Sequence, residues 1–398
     1  MSMSGDASAV TTAACGTAGE MCGYSSHGVT SLIIIQPTPF CNLNCSYCYL
    51  SQRTDTTALT IDQIGAMFEK LLTFPTVSDC VTVVWHGGEP MVLGIEYYEA
   101  AFARIRDCCP PGLKVELAFQ TNATLIDDAW CDLFLRWGVG ICASIDGPRH
   151  INDAFRKTRA GKGTYDRTVA GLKCLQRRGI PFAIIAVLTK MALEDPDAVF
   201  SFFEEMDICD VAFNIEEIEG VNTRSSLSNG FDESTVVRFF ARFSELMKER
   251  KYAMVVRELD ETLESIRYFD KRGPINNLII PFGIITVDVN GGVYTFSPEL
   301  PGYSSPEFPS FSIGNIFTDD FDTLQNSDNL KAMMAEINTG VELCRASCEY
   351  FAVCGGGTPA NKVFENGSFA SSETLHCRLT KKRITDFVLA AFEAGPAA

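Results

Sequence analysis

From residue 32 onward the chain alternates short β-branched runs with amphipathic helical stretches, a period that constrains its fold more than any other feature. The runs LIIIQPT (32–38), TVVWHG (82–87), VELAFQT (115–121), ICASID (141–146), FAIIAVLT (182–189) and VAFNIEEI (211–218) read as strands. Between them TIDQIGAMFEKLL, IEYYEAAFARIRD, DDAWCDLFLRWG, TYDRTVAGLKCLQRRG and PDAVFSFFEEM repeat apolar residues at helical spacing, with Thr60 placed to cap the first. Apolar strands alternating with helices predict βαβ units on a parallel sheet. Six such units are too few for the eight-fold barrel, so the α/β class expected is an open, partial (β/α)6 barrel. Ligands then gather at the C-terminal edge of its strands.

The rhythm changes after the helix ESTVVRFFARFSELMKER (233–250). IITVDVNGGVYTF predicts a hairpin turning at Asn290-Gly291. The stretch SPELPGYSSPEFPSF predicts loop, followed by a helix near 320–337, a cysteine-rich segment and a last helix from about Thr380. The reading divides the chain into a tail (1–29), a barrel (30–255), and a linker with a smaller C-terminal domain (256–398).

Composition excludes several functions. The net charge of -17 with no basic stripe argues against nucleic acid and favours a neutral or basic partner. No apolar run reaches the length of a membrane span, and no export signal opens the sequence, so a cytoplasmic protein is expected. In a reducing compartment its 16 cysteines point to metal binding or catalysis rather than disulfides. Cys15, Cys22, Cys80, Cys108, Cys109, Cys131, Cys142, Cys174 and Cys209 are scattered and read as packing or incidental surface. The other seven fall into two groups.

The first group is CNLNCSYC, with Cys41, Cys45 and Cys48 directly after the first strand. Structural zinc takes four ligands, and no fourth stands nearby. Three thiolates suit a [4Fe–4S] cube whose fourth iron stays open to a chelating small molecule. This C-x3-C-x2-C pattern, with Tyr47 before the last cysteine, resembles the radical S-adenosylmethionine (SAM) enzymes. The resemblance implies that Gly87, Gly88 and Glu89 of WHGGEP hold the methionyl amino group of SAM. Asn122, Ser144 and Asp146 end the third and fourth strands, suited to ribose hydroxyls and the SAM carboxylate or to ordinary helix capping. Arg156 could pair with that carboxylate or lie in solvent.

The second group places Cys344, Cys348, Cys354 and Cys377 in the C-terminal segment. Four thiolates can close a cluster completely, as electron transfer requires, or hold zinc. The segment resembles the SPASM extension of peptide-modifying radical SAM enzymes, which typically carries seven cysteines. Here no cysteine lies between Cys209 and Cys344, Thr358 stands where one is expected, and the Cys344–Cys348 spacing is one residue longer than usual. One auxiliary cluster is therefore expected, and two [4Fe–4S] clusters in all.

IQPTPFCNLNCSYCYL, VWHGGEP, TFSPEL and CGGGTPANKVFENGSFASSETLHC together resemble the cyclophane-forming radical SAM/SPASM peptide maturases of the Grr and Osc type. The resemblance implies an oxidoreductase in RiPP maturation that joins an aromatic ring carbon to the Cβ of a nearby residue in a precursor peptide. It implies a flavodoxin- or ferredoxin-like reductant as a further partner. Restoring aromaticity after the bond forms needs a base, with Glu216, Glu217, Glu219, Asp288 and Glu299 as candidates. The 29 residues before the first strand are too few for a leader-binding domain, so the leader is expected to dock on the core or C-terminal domain, or on a separate chain. Epimerisation, thioether formation and side-chain oxidation are the alternative outcomes. An iron–sulfur electron carrier or zinc-binding module is a rival of another class, disfavoured by WHGGEP and SIDGP.

Overall fold

The computed structural model of the protein describes residues 28–393 apart from 275. Nearly all of the tail 1–29, with Cys15 and Cys22, lies outside the described residues. The barrel half runs β1 (Thr30–Ile35), α1 (Ile61–Leu71), β2 (Val77–Trp85), α2 (Ile95–Cys108), β3 (Lys114–Thr121), α3 (Asp128–Trp137) and β4 (Gly140–Ser144). It continues through α4 (Arg149–Phe155), α5 (Tyr165–Arg177), β5 (Phe182–Leu188), α6 (Lys190–Leu193), α7 (Pro196–Glu205), β6 (Asp210–Ile215) and α8 (Ser234–Arg250). Then follow β7 (Val255–Val256), α9 (Arg257–Arg272), β8 (Ile284–Val287), β9 (Gly292–Thr295), β10 (Gly314–Asn315), α10 (Phe321–Gln325) and α11 (Asp328–Ser347). The chain closes with α12 (Phe351–Cys354), α13 (Pro359–Asn366) and α14 (Arg383–Glu393).

The ten strands of the described residues form one sheet in the order β10-β9-β8-β1-β2-β3-β4-β5-β6-β7. β1 to β6 are parallel neighbours in chain order. Right-handed crossovers that always advance one way leave their helices on a single face, so the sheet curls into a partial barrel. The strand period of two then separates two environments. Ile33, Ile35, Val83, Trp85 and Phe119 are fully buried toward the helices, where each contributes roughly 1.5–3 kcal/mol on burial. Leu32, Ile34, Val84, Gln120, Ser144 and Asn214 line a cavity on the opposite face.

The predicted hairpin forms as β8 and β9, but it does not stand apart. β8 pairs in parallel with β1, so the segment after the barrel extends the barrel's own sheet. The helix expected near 320–337 breaks between α10 and α11, and α11 then runs on to Ser347, carrying Cys344. The last helix starts three residues late, because a π-helical turn occupies Cys377–Lys382.

Candidate active site

The loop after β1 carries the first cysteine group, and arginines hold its shape. Arg53 donates to the Cys45 carbonyl at 3.0 Å, and Arg159 donates to the carbonyls of Cys41 and Arg53 at 3.0 and 2.9 Å. Burial, then the neighbouring Glu89, pushes the Cys41 thiol up to about 12. Burial raises Cys45 to about 11, against the pull of Arg156. Cys48 sits close enough to push both upward. A metal bound there would take the proton's place and hold them as thiolates. Among the described residues no three Cys, His, Asp or Glu side chains converge as they would on a single ion. A cube separates its ligands, since each sulfur binds a different iron, and the three cysteines fit that group.

Gly87 and Gly88 follow β2 with φ of +80° and +60°. The close approach they permit is to the cysteine loop itself: a Cβ on Gly88 would lie 2.4 Å from the Phe40 carbonyl oxygen. The adjacent Glu89 amide donates to that same carbonyl at 2.8 Å. The Glu89 carboxylate accepts from the Asn122 amide (2.8 Å), the Thr121 hydroxyl (2.8 Å) and the Met91 amide (3.1 Å). Burial nevertheless raises its pKa to about 7, the three donors opposing.

These residues surround a cavity of about 510 Å³ at the C-terminal edge of the strands, within the range of small-molecule sites. Of the residues expected to contact SAM, Gly87, Gly88, Glu89, Asn122, Ser144 and Arg156 line it. The Asn122 side chain is engaged with Asn42 and Thr124, and Ser144 accepts from Gln120 at 2.9 Å. Asp146, expected at the ligand, instead lies behind it with no exposure. It accepts from Tyr47 (2.5 Å), the Val187 amide (2.9 Å) and Arg156 (2.9 Å). A buried carboxylate must find donors, and the cysteine loop supplies one of them.

Among the described residues, three buried polar atoms on cavity residues have no hydrogen-bond partner and are free for a polar ligand: Arg156 Nε, His86 Nδ1 and Tyr49 Oη. Gln120, Asn214 and Arg257 also line the cavity and were not singled out in the sequence. Gln120 and Asn214 are polar residues near the ends of apolar strands, which is the signal that could have found them.

Of the candidate bases, Asp288 caps the β8–β9 turn by accepting from Asn290 and Gly292. Glu216 lines the cavity, but its carboxylate accepts from Ser225 and Ser226. Glu217, Glu219 and Glu299 also line the cavity, and no lysine or arginine forms a salt bridge with them among the described residues. Asn361 of α13 donates to Glu217 at 2.6 Å and Glu219 at 3.3 Å. Burial, countered by Ser297 and reinforced by Glu217, raises Glu299 to about 7. Glu219 is raised further by burial and then by Glu217 and Glu299. Tyr49 stands between the two ends of the site, raised by burial and then by Glu299, Cys48 and Glu219.

The second cysteine group comes from the end of α11 (Cys344, Cys348), the end of α12 (Cys354) and the start of the π-helical turn (Cys377). Burial, then Cys354 and Cys348, pushes Cys377 up to about 12. Cys344 is raised by burial and by the same two neighbours, with Lys362 opposing. All four thiols thus share one locality, as a fully ligated cube requires.

The radical SAM superfamily model matches residues 35–203. A Synechocystis protein is 38% identical over 373 residues, 93% of this chain and 94% of its own. The serine-type anaerobic sulfatase-maturating enzyme of Bacteroides thetaiotaomicron is 23% identical over 85% of each chain. Among solved structures, anSMEcpe with bound AdoMet superposes with a TM-score of 0.74 at 21% identity, covering 91% of this chain and 98% of that one. Streptococcus suis SuiB bound to its precursor peptide SuiA gives 0.62 at 17% identity, covering 88% and 76%. These two share the fold. A partial barrel with three loop cysteines beside a polar cavity is the architecture of a SAM-cleaving enzyme. The chain belongs to the radical SAM superfamily, and SAM and iron–sulfur clusters are its cofactors. Among the described residues, no helix is long and apolar enough to cross a membrane.

Proposed function

We propose that this enzyme removes two hydrogens from a ribosomally made precursor peptide, joining an aromatic ring carbon to the Cβ of a nearby residue as a cyclophane. The observation that carries the reading is that Glu219 and Glu299 face the same cavity as Cys41, Cys45 and Cys48. Cys41, Cys45 and Cys48 would hold a cluster that, reduced by a flavodoxin- or ferredoxin-like protein and with SAM bound, would supply a 5′-deoxyadenosyl radical able to take one hydrogen atom from Cβ. Bond formation to the ring leaves one proton and one electron to be removed. Glu299, with a pKa raised to about 7, is matched to accept the proton at neutral pH. Cys344, Cys348, Cys354 and Cys377 would hold a one-electron acceptor. Gly87, Gly88, Glu89, Asn122, Ser144 and Arg156 would seat SAM, with Asp146 fixing Arg156 and the cysteine loop.

The motifs around the cysteines, together with the similarity to a peptide-binding maturase fold, support a peptide substrate. A second reading follows from the similarity to a sulfatase-maturating enzyme along most of the chain: oxidation of one side chain by the same two hydrogens and the same base. Coexpression with a candidate precursor peptide, followed by tandem mass spectrometry, separates the two. A cyclophane interrupts the fragment ladder between the joined residues. An uninterrupted ladder with the mass change on one residue would replace the crosslink reading, and an unchanged mass would overturn both.

A further inference from the structure

Lys362 lies in the middle of α13, only 3% exposed. A lysine this deep normally has a carboxylate beside it, because an unpaired buried ammonium is strongly disfavoured. No carboxylate lies within salt-bridge distance of Lys362 among the described residues. Its hydrogen bond is to a sulfur, with Nζ donating to Cys344 Sγ at 3.6 Å.

The surrounding backbone is shaped to allow this. Cys354 is followed by Gly355, Gly356 and Gly357 at φ of +63°, +112° and +78°, a reversal that only glycines make easily. The reversal turns the chain into α13 and brings Lys362 beneath α11. Gly340 sits one helical turn before Cys344, and a Cβ there would meet the carbonyl oxygens of Phe369 at 2.3 Å and Ser371 at 2.8 Å before reaching Lys362 Nζ at 3.1 Å. The missing side chain lets the chain at Phe369 and Ser371 pack against α11 and leaves the Lys362 ammonium close to that helix, on the side of the Cys344 sulfur.

We infer that Lys362 is the built-in counter-charge of the second cluster and raises its reduction potential, fitting it to accept the electron left by substrate oxidation. A cube held by four thiolates is an anion, and accepting one electron makes it more negative. A fixed ammonium bonded to one ligand sulfur favours the reduced state, since net charge and hydrogen bonds to sulfur set cluster potentials. Among the described residues no lysine bonds a sulfur of the first group: Cys41 Sγ accepts from the Leu43 amide at 3.4 Å, Arg53 and Arg159 are bonded to carbonyls of the loop, and Arg156 is committed to Asp146. The two clusters would thus differ in potential in the direction that suits a strong donor and an acceptor. Lys362 is on this account a positioning residue for the electron, touching neither substrate nor SAM.

The inference rests on the second cluster proposed above, and an iron count keeps the two apart. Wild-type protein holding about four irons rather than about eight would refute the cluster itself. With about eight present, the potential of each cluster is followed by redox titration with electron paramagnetic resonance. Lys362→Gln should lower the second cluster's potential and leave the first unmoved. An unmoved second potential in a fully loaded Lys362→Gln protein overturns the inference. If that variant does not load or fold, Lys362→Arg decides: loading at the wild-type potential supports a charge requirement, and failure to load refutes it.

Discussion

Tyr47, inside the cysteine loop, donates to Asp146 at 2.5 Å, and Asp146 in turn holds Arg156 at 2.9 Å. One buried carboxylate therefore ties the cluster loop to the cavity wall. Arg156 also stacks on Tyr47, 5.5 Å from the ring centre. Asp146→Ala leaves a buried guanidinium without its counter-ion and should destabilise the apoprotein by about 3–5 kcal/mol. Tyr47→Phe removes one charge-assisted hydrogen bond and should cost about 1.5–3 kcal/mol. Urea denaturation of both apoproteins measures the order. An Asp146→Ala protein as stable as wild type would show that the pair does not organise the loop.

Gly88 carries a contrast that needs no cofactor. Its Cβ would meet the carbonyl oxygens of Phe40 at 2.4 Å and Thr38 at 2.7 Å, both rigid backbone atoms of the cysteine loop. Gly138 also has positive φ, yet a Cβ there meets nothing within 4 Å. Gly138→Ala should cost only about 1–2 kcal/mol, the ordinary left-handed penalty. Gly88→Ala should cost more and displace the cysteines, so its reconstituted iron should fall by about half. Equal stability and equal iron in the two variants would contradict the close packing.

How much of this was legible in the sequence depended on range. The strand runs were visible because the helix-covered face and most of the cavity face are apolar, interrupted only near the strand ends by Gln120, Ser144 and Asn214. Thr60 was recognisable as a cap, and it accepts from Gln63 in a full capping box. The β8 pairing with β1 was not visible, since residues some 250 positions apart in the chain share a ladder. The role of Asp146 was hidden for the same reason: its donors Tyr47, Arg156 and Val187 come from three separate segments. The two cysteine groups stood out because each is grouped locally in the sequence. Lys362 was not, because nothing in KVFEN tells a buried lysine from an exposed one.

Glu299 sets a pH dependence. Burial raises its pKa to about 7, so its carboxylate, the basic form, is scarce below that pH and dominant above it. Crosslinked product per SAM cleaved should therefore rise with pH through about 7 and level off. Glu299→Gln keeps the shape and removes the base. It should lower product by about 10²–10⁴-fold while leaving SAM cleavage in place. A Glu299→Gln enzyme with normal product yield would move the base to Glu219 or Glu217.

Cys354→Ala separates the two cysteine groups. The radical can form without the second group, so a folded variant should still make 5′-deoxyadenosine but little crosslinked peptide. Metal binding can also hold a small domain together, so circular dichroism and iron retained at the first group serve as controls. Normal crosslinking by a folded variant lacking the second cluster would make that cluster structural.

The most direct test of the central claim follows the atoms. Precursor peptide deuterated at the reacting Cβ is incubated with reconstituted enzyme, SAM and a reductant, and both products are weighed. The account predicts one deuterium in 5′-deoxyadenosine for each peptide that has lost its deuterium and one hydrogen. It also predicts a fragment ladder broken between the joined residues. A peptide of unchanged mass that keeps its Cβ deuterium, with none in 5′-deoxyadenosine, would be epimerisation at Cα, and would contradict it.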